Sequence, residues 1–204
     1  MKVNVPSAAG VTFGLLALLV FLQQHNTAAL QALGTLASPA AHAASLPAAG
    51  GSIRVAFSPG AGDATAEHLV VAAIAAAHHQ LRIAAYEFTS APIAKAVVEA
   101  KRRGVDVAAV MDRTQQTQRY SAATFLADAG IPVRIDYVPA ILHDKFIVID
   151  GSAVETGSYN YTKAATERNA ENALLIPDPS LAATYTAEWQ RLWAEAIPYQ
   201  DRRQ

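Results

Sequence analysis

From residue 52 onward, short apolar runs alternate with helical segments, and this alternation narrows the folds open to the chain more than any other feature. The runs at 53–57, 81–86, 105–111 and 133–137 have the length and apolar content of strands. Between the first two, residues 64–79 place Leu69, Val70, Ala73, Ile74 and Ala77 on one helical face. A second helix is expected from Ser90 or Ala91, with Pro92 in its first turn, to Arg103, stopped by Gly104. A polar loop at 112–119 leads to a third helix, about 121–129, stopped by Gly130. Runs at 145–150 and 153–157 meet at Asp150-Gly151, a hairpin signal. A strand at 173–176 and a helix from Asp178 or Ser180 to about Ala196 complete the pattern. No internal repeat is present. Strands and helices at this spacing predict an α/β fold, a mixed β-sheet sandwiched between helices, as one domain over 52–204.

The first 51 residues read differently. Up to Ser52 the only charged side chain is Lys2. Residues 11–22 form an apolar run of 12, short for a bilayer span, which needs ~20 residues. Such a run suits the core of a signal peptide, and Ala41-His42-Ala43 offers a small-x-small cleavage site. Residues 1–44 are therefore expected to be a signal peptide or an N-terminal apolar anchor, and 45–51 a linker. Cleavage would deliver a periplasmic or secreted domain. An uncleaved anchor would hold it on a membrane, facing away from the cytoplasm, and only then would the protein contact lipid.

Charge and cysteine content exclude some classes. With 16 Lys+Arg against 17 Asp+Glu, the net charge of −1 argues against a generally basic nucleic-acid-coating protein and leaves a local basic groove open. The absence of cysteine removes disulfides, Cys-based zinc sites and thiol nucleophiles.

The chemistry concentrates in residues 143–160, HDKFIVIDGSAVETGSYN. Strand alternation puts His143 and Lys145 on one face with Ile147 and Ile149, and Asp144, Phe146, Val148 and Asp150 on the other. By the same rule Ser158 and Asn160 share a face. A phosphodiester is anionic, and charge builds on its oxygens during attack. Lys145, Ser158 and Asn160 supply donors for those oxygens, and His143 supplies a lone pair as nucleophile or general base. Asp150, at the hairpin turn, reads as orienting or structural. No metal site and no cofactor is expected. Separately, each of these residues is more readily a surface or hydrogen-bonded residue; the joint pattern carries the reading.

The pattern His143-x-Lys145, Asp150 and Gly157-Ser158, with Asn160 two residues on, resembles the signature of the phospholipase D superfamily. The resemblance extends to 81–89, 100–107, Ile131-Pro132, 154–165 and the Asn-Ala-Glu-Asn of 169–172, all similar to the small Nuc-type endonucleases. It implies metal-free cleavage of single- and double-stranded DNA, with RNA left open as a substrate, by a homodimer with one signature per subunit. In that scheme His143 of one subunit attacks phosphorus and the same residue of the other protonates the leaving oxygen. The resemblance also implies a role for Glu171, hydrogen-bonding the histidine ring and setting its tautomer. Where the Nuc-type enzymes carry a small polar residue, this chain has Glu87, which would repel a phosphate it faced.

The dimer has an independent argument. One histidine cannot both attack phosphorus and protonate the oxygen leaving from the opposite side, and the chain holds no second His-x-Lys. A two-fold axis through the site would bring a copy of His143. His78-His79 lack lysine and Gly-Ser partners and read as surface residues. Arg113 and Arg119 flank the polar loop and are candidates for DNA-backbone contacts, with surface charge as the plain alternative. Arg102 and Arg103 suit a helix C-terminus. Trp189 and Trp193, four apart, are expected in the core or an interface. Two competing functions stay open: a phospholipase D acting on phospholipid or cardiolipin, and a catalytically weak, conjugation-accessory nucleic-acid-binding protein.

Overall fold

The structure, a computed structural model, describes the backbone of residues 44–48 and all of residues 51–200. These belong to the compact unit Ala41–Gln204. Its described strands are β1 (Ala44–Ala48), β2 (Gly51–Ser58), β3 (Gln80–Ala85), β4 (Asp106–Asp112), β5 (Val133–Asp136), β6 (Lys145–Ile149), β7 (Ala153–Gly157), β8 (Glu171–Ile176) and β9 (Ile197–Pro198). They form one mixed sheet in the order β1-β2-β8-β7-β6-β3-β4-β5-β9. β3, β4 and β5 are parallel neighbours, while β6, β7 and β8 alternate in direction.

The described α-helices are α1 (Ala66–Ala75), α2 (Ala91–Arg102), α3 (Ala122–Asp128), α4 (Lys163–Glu167) and α5 (Pro179–Glu195), with 3-10 turns at Gly62–Ala64 and Arg113–Gln116. The helix starts follow from their caps: the side chains of Thr65, Ser90, Ser121, Thr162 and Asp178 each accept a first-turn backbone N–H. Period-two alternation divides the apolar residues between two cores. Ile83, Ala85, Ile147 and Ile149 pack with α1, α2 and α3; Ala84, Val110, Phe146, Val148 and Val154 pack with Trp189 and Leu192 of α5. All five residues of β6 are buried, as expected of a central strand covered on both faces. The sandwich expected from the alternation is the fold observed.

Three expectations change. Residues 45–51 are not wholly a linker, because 45–48 pair antiparallel with β2 as part of β1. Edge pairing uses backbone groups alone, so an Ala- and Pro-containing segment joins without a strand-like pattern. Helix α1 stops at Ala75, short of 79, because two groups claim the backbone beyond it. Arg103 donates to the carbonyls of Ile74, Ala75 and Ala77, and the N–H groups of His78, His79 and Gln80 donate to Asp150. Finally α4 and β9 occupy segments to which the sequence pattern assigns no element. The expected signal peptide or anchor, apart from Ala44, lies outside the described residues. Among the described residues no helix is long and apolar enough to cross a membrane.

Candidate active site

The carboxyl ends of β2, β3, β4, β5 and β7 and the amino ends of β6 and β8 lie along one rim of the sheet, as their pairing directions require. Crevices at such rims are where α/β sheets bind ligands, since side chains from several strands converge without main-chain obstruction. Here the rim carries Lys145 at the start of β6, Gly157 at the end of β7 and Glu171 at the start of β8. A cleft of about 350 Å³ opens there, lined by His143, Asp144, Lys145, Gly157, Ser158 and Tyr185 among others.

His143 and Lys145 are side by side, with Lys145 Nζ 3.2 Å from His143 Nδ1. The ammonium also donates to the His143 carbonyl at 2.5 Å. An ammonium has only donors, so Nδ1 must present its lone pair to it, and the proton of the neutral ring then sits on Nε2. The imidazole is exposed, whereas Lys145 is only 8% exposed. Burial lowers the Lys145 pKa, and the carboxylates of Asp144, Glu171 and Glu87 oppose that shift. A partly desolvated ammonium in a cleft will bind an anion more strongly than one in water. Asp144 shifts upward, through burial first and then the nearby Glu188.

Gly157 is required by close approach rather than by an unusual φ. A Cβ there would lie 2.2 Å from the Asn172 carbonyl oxygen. The tight passage lets Ser158 and Asn172 bond reciprocally: Ser158 N donates to Asn172 Oδ1 at 3.3 Å, and Asn172 N donates to Ser158 Oγ at 3.1 Å. Ser158 Oγ in turn donates to Glu171 Oε2 at 2.6 Å, and Asn169 donates to Glu171 Oε1 at 3.0 Å. Both Glu171 oxygens are thus engaged away from the histidine. In this structure, among the described residues, the His143 ring meets Lys145 and Tyr86, while Glu171 is bonded to Ser158 and Asn169 rather than to the histidine. The register explains it, because Gly157 pairs with Ala173 and brings Ser158 beside Glu171.

The expected shared face of Ser158 and Asn160 does not arise from strand alternation, because β7 ends at Gly157. Ser158 is exposed, while Asn160 is half-buried, and its Oδ1 is buried with no hydrogen-bond partner. Asp150 is structural, as read. It sits at φ 52° in the turn, and its carboxylate accepts the N–H groups of His78, His79 and Gln80. Burial pushes its pKa up, but those three hydrogen bonds outweigh it and hold the group below its ordinary value. Arg113 is exposed, and its Nη2 donates to the Tyr137 and Pro139 carbonyls, tying down the loop that precedes His143. Arg119 is exposed, lies over the Tyr120 ring at 5.3 Å and is not among the residues that line the cleft. Trp189 is core, donating to the Ile83 carbonyl at 2.9 Å and stacked on Trp193.

Sequence reasoning missed two neighbours. Tyr86 packs its ring against His143, centroids 4.5 Å apart. Glu155, wholly buried in β7, accepts from Tyr161 OH at 2.8 Å, and burial pushes its pKa up to about 8. The interruption of an apolar run by Glu155 was the available signal.

The fold and rim are those of a phosphodiesterase-type α/β domain, and comparison with known proteins agrees. Residues 70–193, more than half of the chain, match the family of cardiolipin synthase, PLD-like domains. The chain belongs to this family, within the phospholipase D superfamily. It is similar to the solved structure of Nuc, a phospholipase D family member from Salmonella typhimurium, with 43% identity and a TM-score of 0.70 over 74% of this chain and 99% of that one. It is 40% identical to a phospholipase D of Rickettsia typhi over 65% of this chain, spanning 64% of that protein's length. A mitochondrial cardiolipin hydrolase of Xenopus tropicalis is 36% identical over 60% of this chain and 58% of its own length. NucT from Helicobacter pylori, at 23% identity, shares the fold, with a TM-score of 0.62 over 66% of this chain and 91% of that one.

Proposed function

We propose that the chain is a metal-independent phosphodiesterase that cleaves the backbone of single- and double-stranded DNA. The observation that carries this reading is the pairing of an exposed imidazole with a buried ammonium 3.2 Å away in one cleft. One imidazole nitrogen of His143 attacks phosphorus, the P–O bond to the leaving sugar breaks, and a phosphohistidine forms. Water then cleaves the P–N bond and restores the imidazole. Lys145 donates to the phosphoryl oxygens, and the single Ser158 hydroxyl proton, held by Glu171 in a 2.6 Å bond, turns from that carboxylate to the phosphate when substrate binds. On phosphate binding Lys145 Nζ moves from Nδ1 to the substrate and releases that lone pair. The likeness to Nuc over 99% of its chain supports nucleic acid as the substrate.

The leaving oxygen needs an acid opposite the attacking nitrogen, and the described cleft contains a single histidine. A homodimer that joins two such clefts would supply a second His143. Mixed dimers of wild type and His143→Ala should then be inactive, and half activity per mixed dimer would remove the shared site. An extracytoplasmic location remains part of the proposal, resting on the apolar N-terminal run. It predicts that a mature protein starting near Ala44 is recovered outside the cytoplasm.

A lipid phosphodiester is the second reading. It is favoured by the names of the Rickettsia and Xenopus relatives and by the loop before His143, where Tyr137, Val138 and Ile141 are 41%, 65% and 54% exposed. The deciding experiment incubates the protein with plasmid DNA and with cardiolipin vesicles in excess EDTA, beside His143→Ala. DNA cleavage lost in the variant is the expected result. Vesicle hydrolysis without DNA cleavage would transfer the assignment to lipid, and cleavage only on adding magnesium would remove the metal-free mechanism.

A further inference from the structure

We infer that Tyr86 is the positioning residue of the site: its ring holds the His143 imidazole and the Lys145 ammonium in their working arrangement. The inference rests on the phosphodiesterase reading but on neither choice of substrate. Two contacts meet on this ring. The His143 ring packs against it at 4.5 Å between centroids, tilted by 52°, and Lys145 Nζ stands over it at 5.1 Å from the centroid.

The backbone fixes where the ring can be. Tyr86 follows Ala85, the last residue of β3, which pairs with Lys145 at the first position of β6. Tyr86 N donates to the Asp144 carbonyl at 2.9 Å, extending the β3–β6 ladder by one step. The side chain is therefore anchored between the histidine before this pairing and the lysine within it.

The site has a need for such a wall. Glu171 is bonded to Ser158 and Asn169, and among the described residues the contacts of the imidazole ring are with Lys145 and Tyr86. Packing against a half-buried aromatic ring restricts the rotation of the otherwise exposed His143. For Lys145 the ring contributes the negative face of its quadrupole to an ammonium that burial has partly desolvated. The other charged groups facing this ammonium are Asp144 on its own strand approach, Glu87 beside Tyr86 and Glu171 from β8, with His143 alongside. Each of those carboxylates repels a phosphate while holding the lysine charged. The aromatic face stabilises the ammonium without adding a formal negative charge, so it does not oppose the anionic substrate in the same way.

The test compares Tyr86→Phe, which keeps the ring, with Tyr86→Leu, which removes it. The probe is bis(4-nitrophenyl) phosphate, a phosphodiester that is neither nucleic acid nor lipid. Tyr86→Phe should retain kcat within about twofold, whereas Tyr86→Leu should lose roughly tenfold or more in kcat. Without the ring the ammonium deprotonates more readily, so the alkaline limb of the Tyr86→Leu rate profile should move to lower pH by about half to one unit. A readout independent of turnover is the ¹⁵N spectrum of His143. Wild type and Tyr86→Phe should share one tautomer pattern, and Tyr86→Leu should show averaging. Equal loss in both variants would assign the effect to the hydroxyl and overturn the inference. So would unchanged kcat and an unchanged ¹⁵N pattern in Tyr86→Leu. Should wild type fail to turn over the probe, the phosphodiesterase reading fails while the ¹⁵N comparison still decides the role of Tyr86.

Discussion

The two ends of the β6–β7 hairpin carry polar groups of the same motif and treat them in opposite ways. At the turn, Asp150 is committed to the backbone: the N–H groups of His78, His79 and Gln80 all donate to its carboxylate. At the rim, Lys145 is desolvated beside an exposed histidine, with a hydroxyl across the cleft. A satisfied buried charge contributes stability, and a partly unsatisfied one can act on a substrate. Motif membership alone does not separate these roles; the hydrogen-bond partners do.

The comparison can be broken by substitution at each end. His143→Ala should lower phosphodiester cleavage by at least about 10³-fold, because in the proposed mechanism it deletes the nucleophile. Its melting temperature should stay within about 2 °C, as expected for an exposed side chain. Lys145→Met, matched in length and burial, should lower kcat by about 10²- to 10³-fold. A rim substitution that unfolded the protein while leaving the specific activity of the remaining folded fraction intact would collapse the distinction.

Gly157→Ala lies between the two ends in character. Its Cβ would collide with the Asn172 backbone, so it should cost about 1–3 kcal/mol in a urea melt and also disturb Ser158. Asp150→Ala should cost a similar amount, about 1–3 kcal/mol, by stranding three N–H groups, with kcat unchanged on protein that remains folded. Its acid limb tests the cause. A carboxyl with a depressed folded pKa stabilises the fold above its unfolded pKa and loses that contribution as pH falls through the folded value. Wild type should therefore lose stability below about pH 4, and Asp150→Ala should lose less over that range.

The last expectation concerns stability alone and lies away from both ends, at Glu155, midway along β7. Its folded pKa is raised to about 8, so the folded state holds a proton that the unfolded state releases from about pH 4.5 upward. Stability should decline from about pH 4.5 to 8 and then level off. Glu155→Gln should flatten that slope, read by thermal melts across the range.

Much of this was legible in the sequence because periodicity reports burial. The β6 run alternates between two cores as its spacing predicted, and the hairpin turn fell at Asp150-Gly151. What was not legible depends on partners distant in the chain. Glu171 reaches Ser158 through the register of β7 on β8, and Arg113 reaches carbonyls 24 and 26 residues away. Neither pairing leaves a local pattern. The edge strand β9 has only Ile197 and Pro198, too short for alternation, and α4 is a five-residue helix started by the Thr162 cap. Asn160 lies where strand alternation had already ended, so a period-two argument could not place it.

The most direct measurement is to trap the covalent intermediate. Protein mixed with bis(4-nitrophenyl) phosphate in excess EDTA, quenched within milliseconds at alkaline pH, is digested and sequenced by mass spectrometry. The account predicts a nitrophenylphosphoryl adduct on His143, absent from His143→Ala and lost on acid treatment. Turnover with no adduct at His143 at any quench time, or an adduct on another residue, would contradict it.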